Sequence, residues 1–351
     1  MGGRQPVAAS TLSRLREAIG ALHGVFQPPG RNRHTDAGTH RSGGDVGEET
    51  ATEGLYIRLG GQQRMISPSN PLKAVFGQGM YRLGRLPGAA LYARHFAPRH
   101  LRLEAVPVAL PTLPHGLAGL RVGFLTDIHN EPDRPVALLE RGVALLNDAA
   151  PDLILLGGDY INTDSEGFAR PLALLARLRA PLGVYAVLGN HDYWAGGDYI
   201  AAQLASAGIA VLRNESMRLA APDGLPWWLV GVDSAARRHD DLDQAFACLP
   251  TEGFRLLLAH EPEVADLVAA RGLRADLQLS GHSHGGQIVL PKLGAPLLPR
   301  LGRRYIRGLH HRPAVYTSRG LGAVPPYIRW NCPPEVAVLT LTRGCGAEET
   351  N

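Results

Sequence analysis

The sequence predicts a layered α/β fold in which helices cover the faces of β-sheets. From about residue 101 onwards, short and almost entirely apolar runs recur along the chain, and strands buried on both faces have this composition. Segments with the spacing of amphipathic helices separate several of these runs. Alternation of the two patterns is typical of sheets packed against layers of helices.

The first elements of this domain show both patterns. Residues 122–125 (Val-Gly-Phe-Leu) form the first predicted strand. A helix is predicted from Pro135 to Ala149, because proline suits the first helical turn and apolar residues recur there every three or four positions. The further predicted strands are residues 153–156, 184–188, 228–232, 255–259, 277–279, 315–317 and 336–340.

Two segments precede this domain, which we place at residues 101–345. Residues 1–65 are mostly polar and glycine-rich, so we expect a largely disordered extension with one short helix at residues 11–22. Residues 66–100 intersperse leucines with lysine and arginine. That composition favours either a basic linker or a segment that lies on an anionic membrane surface.

Composition restricts location and partners. The 351 residues are 45% hydrophobic, enough for a substantial core, and the net charge is only +4. No run approaches the roughly 18 apolar residues of a membrane span, and the basic N-terminus lacks the apolar stretch of a secretory signal. Cys248, Cys332 and Cys345 fit no disulfide framework. We expect a cytoplasmic protein, peripheral at the inner face of the membrane if residues 66–100 bind lipid, with no nucleic-acid partner.

A histidine pair flanked by glycines is the first candidate metal site. It lies in the run Gly281-His282-Ser283-His284-Gly285-Gly286-Gln287. Side chains two positions apart in an extended segment point the same way, and the glycines allow the backbone to bend. Imidazoles also occur in solvated loops and in cores, so the pair gains weight only from other polar clusters in the chain.

Polar clusters follow the predicted strands at the point where each strand ends. They are Asp127-Ile128-His129, Gly157-Gly158-Asp159-Tyr160, Gly189-Asn190-His191-Asp192, the single His260, and the histidine pair. Single Asp or Asn residues at such places are common turn formers and helix caps. The carboxyl ends of strands are also where the sites of open α/β sheets gather. Because carboxylate, imidazole and amide groups together suit manganese, iron or zinc, the set predicts a divalent-metal site.

These motifs, in this order, resemble the calcineurin-like metallophosphoesterase family. The resemblance covers roughly residues 101–342. The runs Gly-His-Ser-His-Gly-Gly-Gln-Ile, Ser318-Arg319-Gly320-Leu321-Gly322 and Asn331-Cys332-Pro333-Pro334-Glu335 are similar to those of the subgroup that contains YkuE- and YaeI-type phosphoesterases. The resemblance implies an α-β-β-α sandwich of the metallophosphoesterase type.

The resemblance also implies two divalent metal ions. The implied ligands are Asp127, His129 and His284 for one ion, Asn190, His260 and His282 for the other, and Asp159 for both. Manganese is the favoured metal, with iron or zinc as alternatives. A hydroxide bound between the cations would be the nucleophile. His191 would protonate the leaving group as general acid, and Asp192 would orient its imidazole.

The implied activity is hydrolysis of phosphodiester or pyrophosphate bonds. Three classes of phosphate-ester substrate stay open: a lipid-linked pyrophosphate such as UDP-2,3-diacylglucosamine, a small phosphodiester, or the phosphoprotein of a protein phosphatase. The alternative from another class is a catalytically silent metal-binding scaffold, which would have no need of His191. The arginines and histidines between residues 300 and 311 either bind a second phosphate or form a solvated loop.

Overall fold

The computed structural model describes residues 55–59, 62–66, 79, 82, 86–92, 96–131, 136–162, 165–221 and 223–344. Strands β1 (Leu55–Leu59) and β2 (Gln62–Ile66) pair antiparallel. They form regular structure at the end of the segment that we expected to be largely disordered. The rest of that extension, including the predicted helix at residues 11–22, lies outside the described residues.

One six-stranded sheet leads into the first three polar clusters. Its strands are β3 (Arg102–Leu110), β4 (Arg121–Leu125), β5 (Leu153–Leu156), β6 (Val184–Ala186), β7 (Ala210–Val211) and β14 (Glu335–Arg343). Their order across the sheet is β3-β14-β4-β5-β6-β7. The strands from β4 to β7 run parallel, while β14 is antiparallel to β4 and parallel to β3.

A second six-stranded sheet leads into His260 and the histidine pair. Its strands are β8 (Glu215–Ala220), β9 (Pro226–Val232), β10 (Arg255–Ala259), β11 (Leu277–Ser280), β12 (Gly308–His311) and β13 (Ala314–Thr317). Their order is β12-β13-β11-β10-β9-β8. The four inner strands run parallel, and each outer strand is antiparallel to its neighbour.

Helices complete a four-layer arrangement. They are α1 (Pro87–Leu91), α2 (Ala97–His100), α3 (Ala137–Ala149), α4 (Ala169–Leu175), α5 (Asn190–Ala195), α6 (Gly197–Ser206), α7 (Leu242–Phe246) and α8 (Val264–Ala270). One apolar core lies between the two sheets. A second lies between the first sheet and α3, α4 and α6, and a third between the second sheet and α7 and α8. The predicted α-β-β-α sandwich is confirmed.

Strand β5 shows why the inner strands are apolar at every position. Leu153 and Leu155 pack into the core between the sheets, whereas Ile154 and Leu156 pack into the core beneath the helices. All four are fully buried. Successive side chains of a strand point to opposite faces, so a strand covered on both faces has no position that water reaches.

All eight predicted strands are present, with ends that differ by no more than three residues. The predicted helix is present as α3, which begins at Ala137. Within the two large sheets, four strands were missed: β3, β7, β8 and β12. They are the four edge strands. An edge strand has one partner and is only partly buried, so its sequence lacks the continuous apolar run that marks an inner strand.

Two short helices, α1 and α2, occupy the described part of the predicted basic segment. The Tyr92 hydroxyl, which follows α1, donates to the backbone carbonyl of Arg329 at 3.4 Å. In the part of the chain that the structure describes, no helix combines the length and apolar character needed to cross a membrane.

Candidate metal and catalytic site

Loops from both sheets converge at one edge of the sandwich. In the first sheet, β4, β5 and β6 lead into the segments that carry Asp127, Asp159 and Asn190. In the second, β10 and β11 lead into His260 and His282. Parallel neighbours place their carboxyl ends at the same edge. All seven predicted metal ligands are buried.

Asp127, His129 and His284 form one group. The Nε2 atoms of His129 and His284 lie 3.8 and 3.5 Å from Asp127 Oδ1. One potential ligand atom from each residue lies within 4.8 Å of the others. This group coincides with the first predicted ligand set.

Asp159, His260 and His282 form a second group of the same size. His260 Nε2 lies 3.1 Å from Asp159 Oδ2 and 3.2 Å from His282 Nδ1. Asp159 Oδ2 is also 3.4 Å from His129 Nε2, so this carboxylate borders both groups, as a bridging ligand must. The buried Asn190 Oδ1 has no hydrogen-bond partner among the described residues.

Hydrogen bonds from outside the groups determine which histidine nitrogens face inward. The contacts are His129 Nδ1 to Asn162 Oδ1 at 2.9 Å, His260 Nδ1 to the Gly157 carbonyl at 2.7 Å, and His282 Nε2 to the Arg300 carbonyl at 2.8 Å. Because these oxygens accept, the nitrogens that meet them carry the protons. The opposite nitrogens of these histidines therefore face the site, and they are the atoms that would bind a metal once they are unprotonated.

The histidine nitrogens that face the site form an environment suited to a cation. His260 Nε2 and His282 Nδ1 lie 3.2 Å apart, and His260 Nε2 is also 3.1 Å from the Asp159 carboxylate. His129 Nε2 is buried without a hydrogen-bond partner in the described part of the chain. Despite burial, the Asp159 carboxylate raises the pKa of His260 well above its usual range. This donor set fits divalent cations, which would bind the unpaired atoms and would take the place of the proton on His260.

Both carboxylates of the site are ionised at neutral pH. Burial by itself raises the pKa of Asp127, but the neighbouring imidazoles, that of His284 first, outweigh it and hold the pKa well below its usual range. In the same way, the charge of His260 outweighs burial and lowers the pKa of Asp159. Metal ligands must be deprotonated, so these two residues are prepared for that role.

Backbone strain is concentrated at the same residues. Asp127, His129, Asp159, His282 and His284 have φ values from +45° to +68°. Residues with a Cβ rarely adopt this left-handed conformation, which costs about 1–3 kcal/mol for each. The fold holds five of the seven candidate ligands in this conformation, which Asp and His adopt more readily than most residues with a Cβ, and such conformations cluster at functional sites.

Gly281 allows the histidine loop to approach Asp127. A Cβ at residue 281 would lie 2.1 Å from Asp127 Oδ2 and 2.3 Å from Thr126 Oγ1, so no larger residue fits. The backbone N–H of His282 donates to both Asp127 carboxylate oxygens, at 3.0 and 3.1 Å. These contacts fix the histidine loop of the second sheet against the first sheet.

His191 lies half-buried beside the two groups. Its Nδ1 meets the backbone carbonyl of Asn162 at 3.1 Å, and its backbone N–H donates to Asp159 Oδ1 at 2.8 Å. One ring nitrogen lies within 4.8 Å of ligand atoms of His129 and Asp159. Burial lowers the pKa of His191 to about 3. Since Nδ1 is engaged by a carbonyl, Nε2 is the nitrogen that can exchange a proton with a substrate.

The prediction that Asp192 orients the His191 imidazole is wrong. The Asp192 carboxylate is fully buried and accepts three backbone N–H groups, from Asp159, Tyr160 and Gly189, each at 2.8 Å. Burial, followed by the charge of Asp159, raises its pKa to about 7. Adjacent residues on a helix point in different directions, so Asp192 faces the interior instead of its neighbour's ring. Asp192 therefore joins the loop after β5 to the loop after β6.

Asn162 was missed by the sequence analysis and takes the orienting role. Its side-chain oxygen meets His129 Nδ1 and its backbone carbonyl meets His191 Nδ1. The Asn162 amide nitrogen in turn donates to Glu131 Oε1 at 2.7 Å, which fixes the amide orientation. Asn162 stands two positions after the Gly157–Tyr160 cluster. Its closeness in sequence to that cluster is the one feature that could have marked it as a site residue.

Arg329 was also missed. Its buried guanidinium donates to the carbonyls of Gly322, Arg319, Gly320 and His284, at distances from 2.7 to 3.2 Å. These bonds join the histidine loop to residues 318–322, whose backbone supports Asp127 through the Gly322 N–H at 2.6 Å. Arg329 and the motif at residues 318–322 thus help to position the candidate ligands Asp127 and His284.

An apolar cavity of about 70 Å³ opens beside His129. Its walls include Ile128 and Leu139 from the main domain, and Tyr92 and Ala97 from the basic segment. By contrast, the predicted arginine cluster lies on the surface: the side chains of Arg300, Arg303, Arg304 and Arg307 are exposed.

Comparison with known proteins identifies the family. The calcineurin-like phosphoesterase model matches residues 120–286. The uncharacterized metallophosphoesterase YkuE of Bacillus subtilis is 31% identical over 278 residues, which cover 76% of this chain and 96% of YkuE. The phosphodiesterase YaeI of Escherichia coli is 37% identical over 231 residues, which cover 64% of this chain and 83% of YaeI.

A vertebrate relative extends the comparison. A transmembrane protein with a metallophosphoesterase domain from Danio rerio is 31% identical over 250 residues, which cover 67% of this chain and 56% of that protein. The residues that the family model matches, 120–286, include the strand-end loops described above. The chain belongs to the calcineurin-like phosphoesterase family and is an enzyme that hydrolyses phosphate esters.

Proposed function

We propose that this enzyme is a binuclear metal-dependent hydrolase of phosphodiester or pyrophosphate bonds. The observation that carries the proposal is the convergence of seven buried residues whose carboxylate, imidazole and amide groups are all potential metal ligands. Two of their atoms, His129 Nε2 and Asn190 Oδ1, are buried with no hydrogen-bond partner among the described residues. Burying such groups is costly unless cations join them.

The two groups of donors suggest how the ions would be held. The proposed ligands are Asp127, His129 and His284 for one ion, Asn190, His260 and His282 for the other, and Asp159 for both. Mixed oxygen and nitrogen donors favour manganese, with iron or zinc as alternatives. Divalent ions at such a site make a bound water acidic and offset the charge of the phosphoryl group.

His191 is the proposed proton donor to the leaving group. Its Nδ1 is fixed by the Asn162 carbonyl, which leaves Nε2 for the substrate oxygen. The rings of His129 and Trp194 pack edge-on against it, with centroids 4.6 and 4.3 Å away, and hold its orientation. Negative charge on a bound phosphate ester favours the protonated imidazole and so opposes the effect of burial.

We further infer that the substrate has an apolar portion, as in a lipid-linked pyrophosphate such as UDP-2,3-diacylglucosamine. The support is the cavity beside His129, whose apolar walls offer space for part of an acyl chain or a ring. A lipid-linked substrate would place the enzyme at a membrane surface, and the basic composition of residues 66–100 is consistent with peripheral contact there. The free thiols of Cys248 and Cys332 support a reducing, cytoplasmic compartment.

Metal analysis and turnover test the chemistry together. The purified protein should contain close to two divalent ions per chain, and removing them should abolish hydrolysis of an aryl phosphodiester, with recovery on addition of manganese. His191→Ala should retain the metal but lose about 10²- to 10⁴-fold in turnover on an alkyl leaving group. The loss should be much smaller for p-nitrophenolate, which leaves without protonation.

A matched control is His115→Ala, because His115 is exposed and lies apart from the strand-end loops. This control should leave turnover unchanged. Full activity in metal-free protein would refute the metal requirement, and normal rates of His191→Ala on the alkyl diester would refute the proton-donor assignment.

The cavity gives a separate test of substrate class. Ala323 lines it, so Ala323→Leu should fill part of the space. We expect a higher KM for UDP-2,3-diacylglucosamine and an unchanged KM for a soluble phosphodiester. Equal effects on both substrates would contradict the inference of an apolar substrate portion.

A further inference from the structure

We propose that an apolar surface at the mouth of the site docks this enzyme onto an anionic lipid membrane. The surface, called here the rim patch, consists of Leu290, Leu293, Leu297 and Trp330. Their exposed fractions are 37%, 82%, 54% and 62%. Exposed apolar residues scattered singly need no explanation, but a cluster on one surface marks an interaction site.

Backbone pairing joins the rim patch into one surface. Ile288 forms a β-bridge with Trp330. Leu290, two residues after Ile288, forms a second β-bridge with Gly294. The turn closed by the second bridge carries Leu293. The most exposed leucine of the described chain is therefore next to the segment that pairs with Trp330.

The rim patch is attached directly to the proposed ligand loop. The Arg300 carbonyl accepts from His282 Nε2 at 2.8 Å. A Cβ on Gly286 would lie 2.3 Å from the Ala295 Cβ, so the leucine-rich segment packs against the histidine loop. Arg329, which precedes Trp330, donates to the His284 carbonyl at 3.2 Å.

The basic segment continues the same surface. Tyr92 binds the Arg329 carbonyl, and Leu86, Leu91 and Phe96 around it are exposed. Eleven large apolar side chains are exposed among the described residues, and seven of them belong to the rim patch or to this neighbouring segment. Such concentration on one side of the molecule separates the rim patch from ordinary surface composition.

Charge identifies the occupant as an anionic lipid surface. Between Asp276 and Glu335 the chain has eight Lys or Arg residues, six of them exposed, and no Asp or Glu, although the whole chain carries only +4. Lys292, Arg300 and Arg303 are exposed within or beside the rim patch. Apolar side chains that enter the boundary between headgroups and acyl chains, flanked by cations that contact anionic headgroups, are the features of interfacial membrane binding.

Docking in this orientation brings the ligand loop and the apolar cavity to the level of the lipid headgroups. A benefit to turnover on lipid-linked substrates rests on the proposed function, whereas membrane binding itself does not. Binding is measured without catalysis, so failure of either idea can be recognised separately.

Vesicle sedimentation with the full-length protein tests the proposal. We expect binding to vesicles of phosphatidylcholine mixed with phosphatidylglycerol, weaker binding at high salt, and little binding to phosphatidylcholine alone. The double variant Leu293→Asp/Trp330→Ala should bind the mixed vesicles at least about tenfold more weakly, because it removes two apolar anchors and adds a negative charge.

The matched control is Leu225→Asp. Leu225 is 59% exposed, in the turn before β9, at the opposite end of the second sheet from the site. This variant should bind as wild type does. Thermal melting of each variant verifies folding, and Trp330→Phe should remove the blue shift of tryptophan fluorescence that vesicles cause.

Three results would overturn the proposal. The first is wild-type protein that does not bind the mixed vesicles, which would leave a protein partner as the occupant. The second is an equal loss of binding in the Leu225 control. The third is binding that depends on Lys73 and Arg85, tested as Lys73→Gln/Arg85→Gln, and not on Leu293 and Trp330.

Discussion

Asp192 offers the sharpest test of how the site is built. Its carboxylate bonds three backbone N–H groups and thereby joins the loop that carries Asp159 to the loop that carries Asn190 and His191. The variant Asp192→Asn keeps the size of the side chain and replaces one accepting oxygen by an N–H₂ group. We expect it to lower both stability and metal content, because the two loops lose their shared acceptor.

The hydrogen bonds of Asp192 determine how much stability Asp192→Asn should lose. Oδ2 accepts from Asp159 and Gly189, and Oδ1 accepts from Tyr160. An amide can keep at most the two bonds of one oxygen, and its N–H₂ group then opposes a backbone N–H. One unsatisfied buried donor costs about 1–3 kcal/mol, and about 2–4 °C of Tm per kcal/mol applies to a domain of this size. The expected fall in Tm is therefore roughly 2–12 °C.

Thermal and urea unfolding at pH 8, above the Asp192 pKa of about 7, measure this effect. The control is Asp148→Asn on the exposed face of α3, which should change the free energy of unfolding by no more than about 0.5 kcal/mol. If Asp192→Asn unfolds as wild type does and only the pH dependence of kcat shifts, Asp192 works through the His191 imidazole and the structural role is refuted.

Three further predictions concern the ligands and their supports. Asn162→Ala should reduce metal affinity about 10- to 100-fold in a metal titration, because His129 loses its outer hydrogen bond. Asn162→Asp keeps an accepting oxygen and should retain most of the affinity. Equal affinities for the two variants would argue against the orienting role. Gly281→Ala should cost about 1–3 kcal/mol in urea unfolding, because its Cβ meets the Asp127 carboxylate, and an unchanged stability would show that the loop approaches Asp127 less closely. Removing metal with a chelator should lower the free energy of unfolding by about 2.7 kcal/mol relative to protein with manganese at 100 times its Kd, and identical melting curves would contradict a metal site in the folded state.

Inner strands could be predicted from the sequence because burial of both faces requires an apolar side chain at every position. Strand β5, buried on both faces, has no position where a polar side chain is tolerated. Edge strands have no such requirement. Strand β3 even contains Pro107, which lacks a backbone donor and is acceptable where one side of the strand has no partner. The order of strands depends on long-range pairing, to which no local pattern points.

The candidate ligands could be identified because their side chains carry the chemistry and they stand directly after apolar strands. Their supports could not be identified in this way. The Gly157 and Arg300 carbonyls orient His260 and His282, but any residue offers a backbone carbonyl. Asp192 illustrates the reverse error: a carboxylate next to His191 in sequence is not next to its ring in space, because successive positions on a helix face different directions.

Backbone strain connects the site to the stability of the whole chain. Five candidate ligands adopt the left-handed region, which costs free energy for residues with a Cβ, although Asp and His tolerate it better than most. The fold must offset this cost locally. Asp192 and Arg329 do so in part, because both are buried and bond several backbone groups of the strained loops. Metal binding to the folded state would stabilise these loops further, since its free energy adds to folding. The histidine loop is therefore a place where binding and folding are expected to be coupled, with His282 and His284 each joined to a different group of ligands.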